Sequence, residues 1–377
     1  MDTRVKPAYD WSLMWRVVPP HEGLSMITQS LPPAASADHL TAALRKAGVL
    51  GGGCVRDVVV ERSFDTLLSH IFRLKLSYDA ALGGPEFLIL KAGLPDRPGG
   101  PWKAGRQEVA FYAEVASAMS DHLVPRCFDA DWTADTGAWH LLLEDLTDSH
   151  FVATRWPLPP TLAQCESIVR TRARFHAAWW DDPRLGNTIG AWQDAALDQQ
   201  LLDFARDLAG FTERFGDRLS SERRDLYARL IDRAPRLQMR YRSHRNMTIL
   251  QGDSHVWNCF LPRDGAKDDA LLFDWDAWHI GPASNDLSTM MALHWYPERR
   301  RQVERPLLDC YHAALEAYGV NDYARHELDD DYRLAVLWNL RTPVWQEANG
   351  IPPVIWWNGL ERIFMAVDDL DCRELLS

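Results

Sequence analysis

Apolar and polar residues alternate through three short segments in the first third of the chain. They are Val55-Arg56-Asp57-Val58-Val59-Val60-Glu61-Arg62, HIFRLKLSY (70–78) and EFLILKAGL (86–94). Turn material such as Gly83-Gly84-Pro85 separates them, and β-branched or period-two patterning predicts an antiparallel sheet. Before the sheet, Ser36-Ala37-Asp38 introduces a helical pattern, HLTAALRKAG, with Gly48 and Gly51–Gly53 as stop signals. After it, Val109, Tyr112, Val115, Ala116 and Met119 share one face of a helix expected over 105–120. Two further strands are expected at 126–131 and 139–143. Thr161 can cap a helix running to Trp180, whose stripe includes Cys165, Ile168, Val169, Ala173, His176 and Ala177. On that stripe His176 reads as a packed core histidine rather than a ligand. Residues 192–243 predict exposed helices, and residues 1–33 read as a polar, irregular surface segment.

A β-rich half followed by a helical half predicts an α+β fold of two lobes with a cleft. The division is expected near Asp145–Asp148: 1–145 as the N-terminal lobe, with an extension over about 1–50, and 146–377 as the C-terminal lobe. At 377 residues and 46% hydrophobic content the chain can fill both cores. A formal net charge of −12 argues against nucleic acid or an anionic membrane as the main partner. The six cysteines show no CxxC spacing and read as reduced thiols. No signal peptide is evident, and no apolar run approaches the roughly 20 residues of a membrane helix, so a soluble cytoplasmic protein is expected. The sequence leaves the oligomeric state open, a monomer being favoured. The 17 tryptophans read first as core filling, and second as an aromatic substrate pocket.

The chemistry concentrates in TILQGDSHVWNCFLPRDGAKDDALLFDWDAWHIGPASNDLS, residues 248–288. It reads as strand, polar loop, strand, Gly-containing turn and strand, placing Asp253 and Asn258 on one loop and Asp274 at a strand end. Phosphoryl transfer requires a carboxylate to orient the attacking hydroxyl and accept its proton. It also requires an amide oxygen and a second carboxylate for the Mg²⁺ that bridges the phosphates.

These residues resemble the aminoglycoside phosphotransferase and choline-kinase-like superfamily, the small-molecule branch of the protein-kinase-like fold. GDSHVWN matches its catalytic loop, FDWD its metal-binding strand end, and Asp286-Leu287 its structural Asp-Leu pair. The resemblance implies Asp253 as base, Asn258 and Asp274 as Mg²⁺ ligands, Asp286 as a buried loop anchor, and ATP or GTP as phosphoryl donor. Where the family usually has His before the Gly-Asp pair, this chain has Gln251. The resemblance further implies a strand lysine for the α/β-phosphates and a helical glutamate to hold it; Lys91 and Glu108 stand in that order. LLLEDL (141–146) resembles the hinge, whose backbone near Glu144 and Leu146 would hold the nucleotide base. The turn RSFDTLLS (62–69) takes the place of the phosphate-covering loop without a glycine, with Ser69 or backbone amides as phosphate contacts.

A protein kinase is disfavoured, because Trp275 to Asn285 is too short a segment for an activation loop and no APE anchor occurs. A catalytically inactive nucleotide-binding or interaction protein of the same fold is the alternative; none of the residues whose loss would mark it is missing. The acceptor is expected to be a small hydroxylated molecule such as an antibiotic, an amino alcohol or a sugar-like metabolite. The fold is shared by kinases of all of these, and of steroid-like alcohols, and cannot choose among them. His279 and Glu347 are candidate acceptor contacts.

Overall fold

The computed structural model describes residues 31–66, 69–79, 84–94, 105–155, 157–263 and 270–377. Residues 1–30 of the expected N-terminal extension and residues 264–269, where the Gly-containing turn is expected, lie outside them. The chain divides into two compact units, one reaching Phe151 and including Arg155–Leu158, the other comprising Val152–Thr154 and Pro159–Ser377.

The first unit is a five-stranded antiparallel sheet with one helix on its apolar face. Its elements are α1 (Ala37–Lys46), β1 (Val55–Asp65), β2 (Ser69–Tyr78), β3 (Phe87–Gly93), α2 (Arg106–Ala110), β4 (Cys127–Trp132) and β5 (Trp139–Glu144). The strand order is β1-β2-β3-β5-β4. Alternation puts Leu74, Leu76, Leu88, Leu90 and Leu142 on one face, where they bury together with Leu40 and Leu44 of α1. The Ser36 side chain caps α1 by accepting from the N–H of His39.

Two expectations change here. The helix over 105–120 is not regular: α2 passes into a π-helical turn at Phe111–Val115 and a 3-10 turn at Ala116–Ala118. The wider turn shifts the stripe, so Phe111 is buried with Val109, Tyr112 and Val115, while Met119 is half-buried. The expected loop at 62–69 is mostly strand, since Arg62 pairs with Arg73 and Asp65 with His70. The Thr66 N–H donates to the Ser69 carbonyl at 2.7 Å, and Leu67 and Leu68 lie outside the described residues.

A short strand β6 (His150–Val152) stands at the division. The second unit follows with α3 (Leu162–Ala178), α4 (Asp194–Phe215), α5 (Ser221–Leu237) and α6 (Met239–Arg242). Four short strands come next: β7 (Thr248–Leu250), β8 (Cys259–Pro262), β9 (Leu271–Leu272) and β10 (His279–Gly281). The chain closes with α7 (Ser284–Ser288), α8 (Pro297–Ala317), α9 (Arg325–Trp338), α10 (Arg341–Ala348) and α11 (Pro353–Asp369). Thr161 begins α3 through a reciprocal capping box with Gln164, an arrangement worth about 1 kcal/mol. The helices over 192–243 are less exposed than their charge suggests, because Phe204, Leu208, Phe211, Tyr227 and Leu230 are buried. Trp179, Trp257, Trp275 and Trp295 are fully buried, which makes them core filling. Among the described residues no helix is long and apolar enough to cross a membrane.

Candidate functional site

In the first unit the pleat decides where Lys91 points. Leu88, Leu90 and Ala92 face α1, so Lys91 emerges on the opposite side of β3. There its Nζ donates to Glu108 Oε2 at 2.6 Å, and Glu108 is 2% exposed. A charge-assisted bond of this length holds both side chains in one geometry. Gly105 makes the approach possible: at φ 82 it starts α2 in the left-handed region, and a Cβ there would run into the Trp139 indole.

The remaining candidates in this unit have other partners. Ser69 is buried, its hydroxyl lies 2.8 Å from Thr66 Oγ1, and its N–H donates to the same oxygen at 3.0 Å. These bonds tie Ser69 to Thr66 between β1 and β2 and engage its hydroxyl. The Glu144 carboxylate lies 2.6 Å from His122 Nε2 and accepts from the N–H of Arg126 at 2.7 Å. Burial alone would raise the Glu144 pKa, but the His122 and Arg126 bonds bring it below the ordinary value. Its own N–H donates to the Arg126 carbonyl, and the Leu146 carbonyl accepts from Ser149 and His150 in the following turn.

In the second unit Asp286, buried in α7, organises the loop that carries Asp253. Its carboxylate accepts from the N–H of Gln251 at 2.9 Å and of Gly252 at 3.0 Å. Its backbone carbonyl accepts from Ser254 Oγ at 2.8 Å. The residues on both sides of Asp253 are thus tied down while its side chain stays 55% exposed. Gly252 is required where it stands, at φ 81 with a Cβ clashing against the Ala277 carbonyl.

Arg172 of α3 was not singled out by the sequence reading. Fully buried, it donates to Asp286 Oδ2 at 2.7 Å, to Gln251 Oε1 at 2.9 Å and to the Ser254 carbonyl at 3.1 Å. Burial alone would raise the Asp286 pKa; the Arg172 charge overrides it and holds the carboxyl well below the usual range. His176 completes the cluster, with Nδ1 2.8 Å from the Tyr311 hydroxyl, and burial pushes its pKa down. Only one signal could have revealed Arg172: a charged residue inside the apolar stripe between Val169 and Ala173. His255 was also passed over; its Nε2 lies 3.5 Å from Asp253 Oδ2.

Gln251 explains its own departure from the family pattern. Besides accepting from Arg172, its amide Nε2 donates to the Phe273 carbonyl at 2.5 Å. The N–H of Phe273 in turn donates to the Asn258 carbonyl at 3.1 Å. Asn258 therefore lies directly across from the residue preceding Asp274. Asp274 stands two residues past β9, rather than at its end, with a left-handed φ of 66 that few non-glycine residues adopt.

Asn258 gives the site its clearest chemical signature. Its Nδ2 donates to the Asp253 carbonyl at 2.9 Å, which fixes the amide and leaves Oδ1 as an acceptor. That oxygen is buried with no hydrogen-bond partner among the described residues. An unsatisfied buried acceptor costs about 1–3 kcal/mol, and a hard cation is a partner that an amide oxygen would accept. The residues thus fit a divalent metal. His279 begins β10, its Nδ1 3.0 Å from the Ala277 carbonyl. The Glu347 carboxylate is engaged in a two-bond pair with Arg214, one bond at 2.8 Å.

Residues 63–180 match the ecdysteroid kinase-like family. A search of the curated proteins by sequence gave no match. Among solved structures, choline kinase LicA from Streptococcus pneumoniae is 12% identical, with 84% of this chain and 94% of that one covered at a TM-score of 0.48. LicA in complex with AMP is 10% identical, covering 89% and 98% at a TM-score of 0.50. An amicoumacin kinase, hAmiN, in complex with AMP-PNP, Ca²⁺ and Ami is 13% identical, covering 88% and 96% at 0.48. The chain has the α+β protein-kinase-like fold of the choline-kinase-like small-molecule kinases.

Proposed function

We propose that the protein transfers the γ-phosphoryl group of ATP or GTP to a hydroxyl of a small acceptor. The observation that carries this reading is the orphaned Asn258 Oδ1, locked against the Asp253 loop and one hydrogen bond away from the Phe273–Asp274 segment. Asp253, exposed between two anchored neighbours, is the group that orients the acceptor hydroxyl and takes its proton. Asn258 and Asp274 would hold Mg²⁺, which when bound offsets the charge of the phosphates. Lys91, held by Glu108, is the cation for the α/β-phosphates, and the backbone near Glu144 and Leu146 the support for the base.

The family match and the LicA complex with AMP support nucleotide use, and the match to the ecdysteroid kinase-like family supports adding a hydroxylated steroid-like molecule to the antibiotic, amino alcohol and sugar-like acceptors to be tried. The test is a ³¹P NMR screen of these four acceptor classes with ATP or GTP and Mg²⁺. An acceptor that yields nucleoside diphosphate and an equal amount of a new phosphate ester confirms the reaction. A phosphate-free acceptor pool across all four classes, with nucleotide bound, would favour the inactive alternative.

A further inference from the structure

The geometry points to a second metal site: His39, Asp129 and His140 form a binding site for a divalent transition cation of the zinc class. The three residues come from α1, β4 and β5, and lie on the face of the sheet opposite Lys91. The register shows this. Ala92 pairs with His140 and Lys91 with Leu141, so neighbouring β5 residues point to opposite faces. Asp129 pairs with Leu142 and sits diagonally from His140 on the same face as the α1 core. His39 precedes the buried Leu40, and its N–H is held by the Ser36 cap.

The donor atoms converge on one point. His39 Nε2 lies 2.9 Å and His140 Nε2 2.8 Å from the same Asp129 oxygen, Oδ2. The three ligand atoms all fall within 4.8 Å of one another. Hydrogen bonding alone is served as well by spreading two imidazoles over both carboxylate oxygens. Convergence on one oxygen brings three donors to a common centre, and tetrahedral zinc with bonds of about 2.0–2.1 Å sets its ligands roughly 3.4 Å apart. Small outward movements of the two rings, which stand edge to face at 5.1 Å, open that space. Two imidazoles with one carboxylate select zinc-class ions over magnesium. His39, 35% exposed, leaves a path for ion entry and for a water in the fourth position. Such an ion would clamp α1 to the two strands at one side of the sheet, a structural role separate from phosphoryl transfer.

The experiment is zinc titration of the full chain, stripped with chelator, followed by calorimetry and thermal unfolding. Wild type should take up one Zn²⁺ at this site with a dissociation constant of about 1 μM or lower, and its unfolding midpoint should rise. Excess Mg²⁺ should not displace the bound zinc. His140→Ala should weaken zinc binding at least tenfold. His39→Gln, at a half-exposed position that tolerates the change, should do the same with an unaltered circular dichroism spectrum. Asp274→Asn should keep the wild-type zinc affinity. Absence of zinc binding in wild type would overturn the proposal and leave a hydrogen-bonded triad. Zinc binding unchanged in both histidine variants, or lost in Asp274→Asn, would overturn it equally.

Discussion

Arg172 and Asp286 meet at 2.7 Å with both side chains buried, and the loop that carries Asp253 is built on that pair. Removing one partner strands the other charge in the interior, at a cost of about 3–5 kcal/mol. Arg172→Met should therefore lower the urea midpoint strongly, with no change in the denaturant slope. A variant as stable as wild type would mean that the pair does not organise the loop.

Asp253→Asn keeps the size of the side chain and the anchored neighbours, so nucleotide binding should remain close to wild type. Turnover should fall roughly 10²–10⁴-fold, the usual worth of a positioned general base. Single-turnover kinetics beside nucleotide titration separates the two. Near-normal turnover would remove Asp253 from this role.

Lys91→Ala leaves the buried Glu108 without its 2.6 Å partner and removes the cation proposed for the phosphates. Nucleotide affinity and turnover should fall together, by about tenfold or more each, whereas Lys91→Arg should restore part of both. An unchanged nucleotide affinity in the alanine variant would contradict the assignment.

The Lys91–Glu108 contact and the closeness of Asp253 to Asn258 were legible in the sequence, because the first pair sits on a strand and a helix and the second is separated by five positions of one loop. Arg172 was not, since a buried charge looks like any charge on a helix until its partners, far away in sequence, are known. The Thr66 partner of the Ser69 hydroxyl was likewise invisible, since two hydroxyls three residues apart carry no pairing signal. The π turn at Phe111–Val115 has no sequence signature that periodicity can detect, and it moved the buried stripe. Gln251 looked like a departure and became intelligible only when its amide was seen to bridge Arg172 and Phe273.

Stability should fall on mild acidification. Burial, with His255 adding to it, pushes the His294 pKa down to about 3, and burial likewise lowers His176. Their folded forms prefer to be neutral, so the unfolded chain binds more protons once the pH drops below the ordinary histidine value near 6.5. His294 then costs up to about 1.4 kcal/mol per pH unit down to about pH 3. Asp286 adds a second window, since its lowered carboxyl stabilises the fold above the ordinary aspartate value near 3.9 and loses that contribution below it. Urea midpoints at pH 7.5, 6 and 5 should decline stepwise, and His294→Asn should reduce the slope. A flat profile would show that these histidines are not held neutral.

The central claim is that Asn258 and Asp274 hold the divalent metal through which nucleotide is bound and presented. Calorimetric titration of ATP and of GTP into wild type and Asp274→Asn, each with Mg²⁺ and with chelator, tests it directly. Wild type should bind at least one of the two nucleotides tenfold or more tightly with Mg²⁺ than without, and Asp274→Asn should lose that gain while keeping the metal-free affinity. Binding that ignores Mg²⁺ in wild type, or a Mg²⁺ gain that survives in Asp274→Asn, would contradict the account.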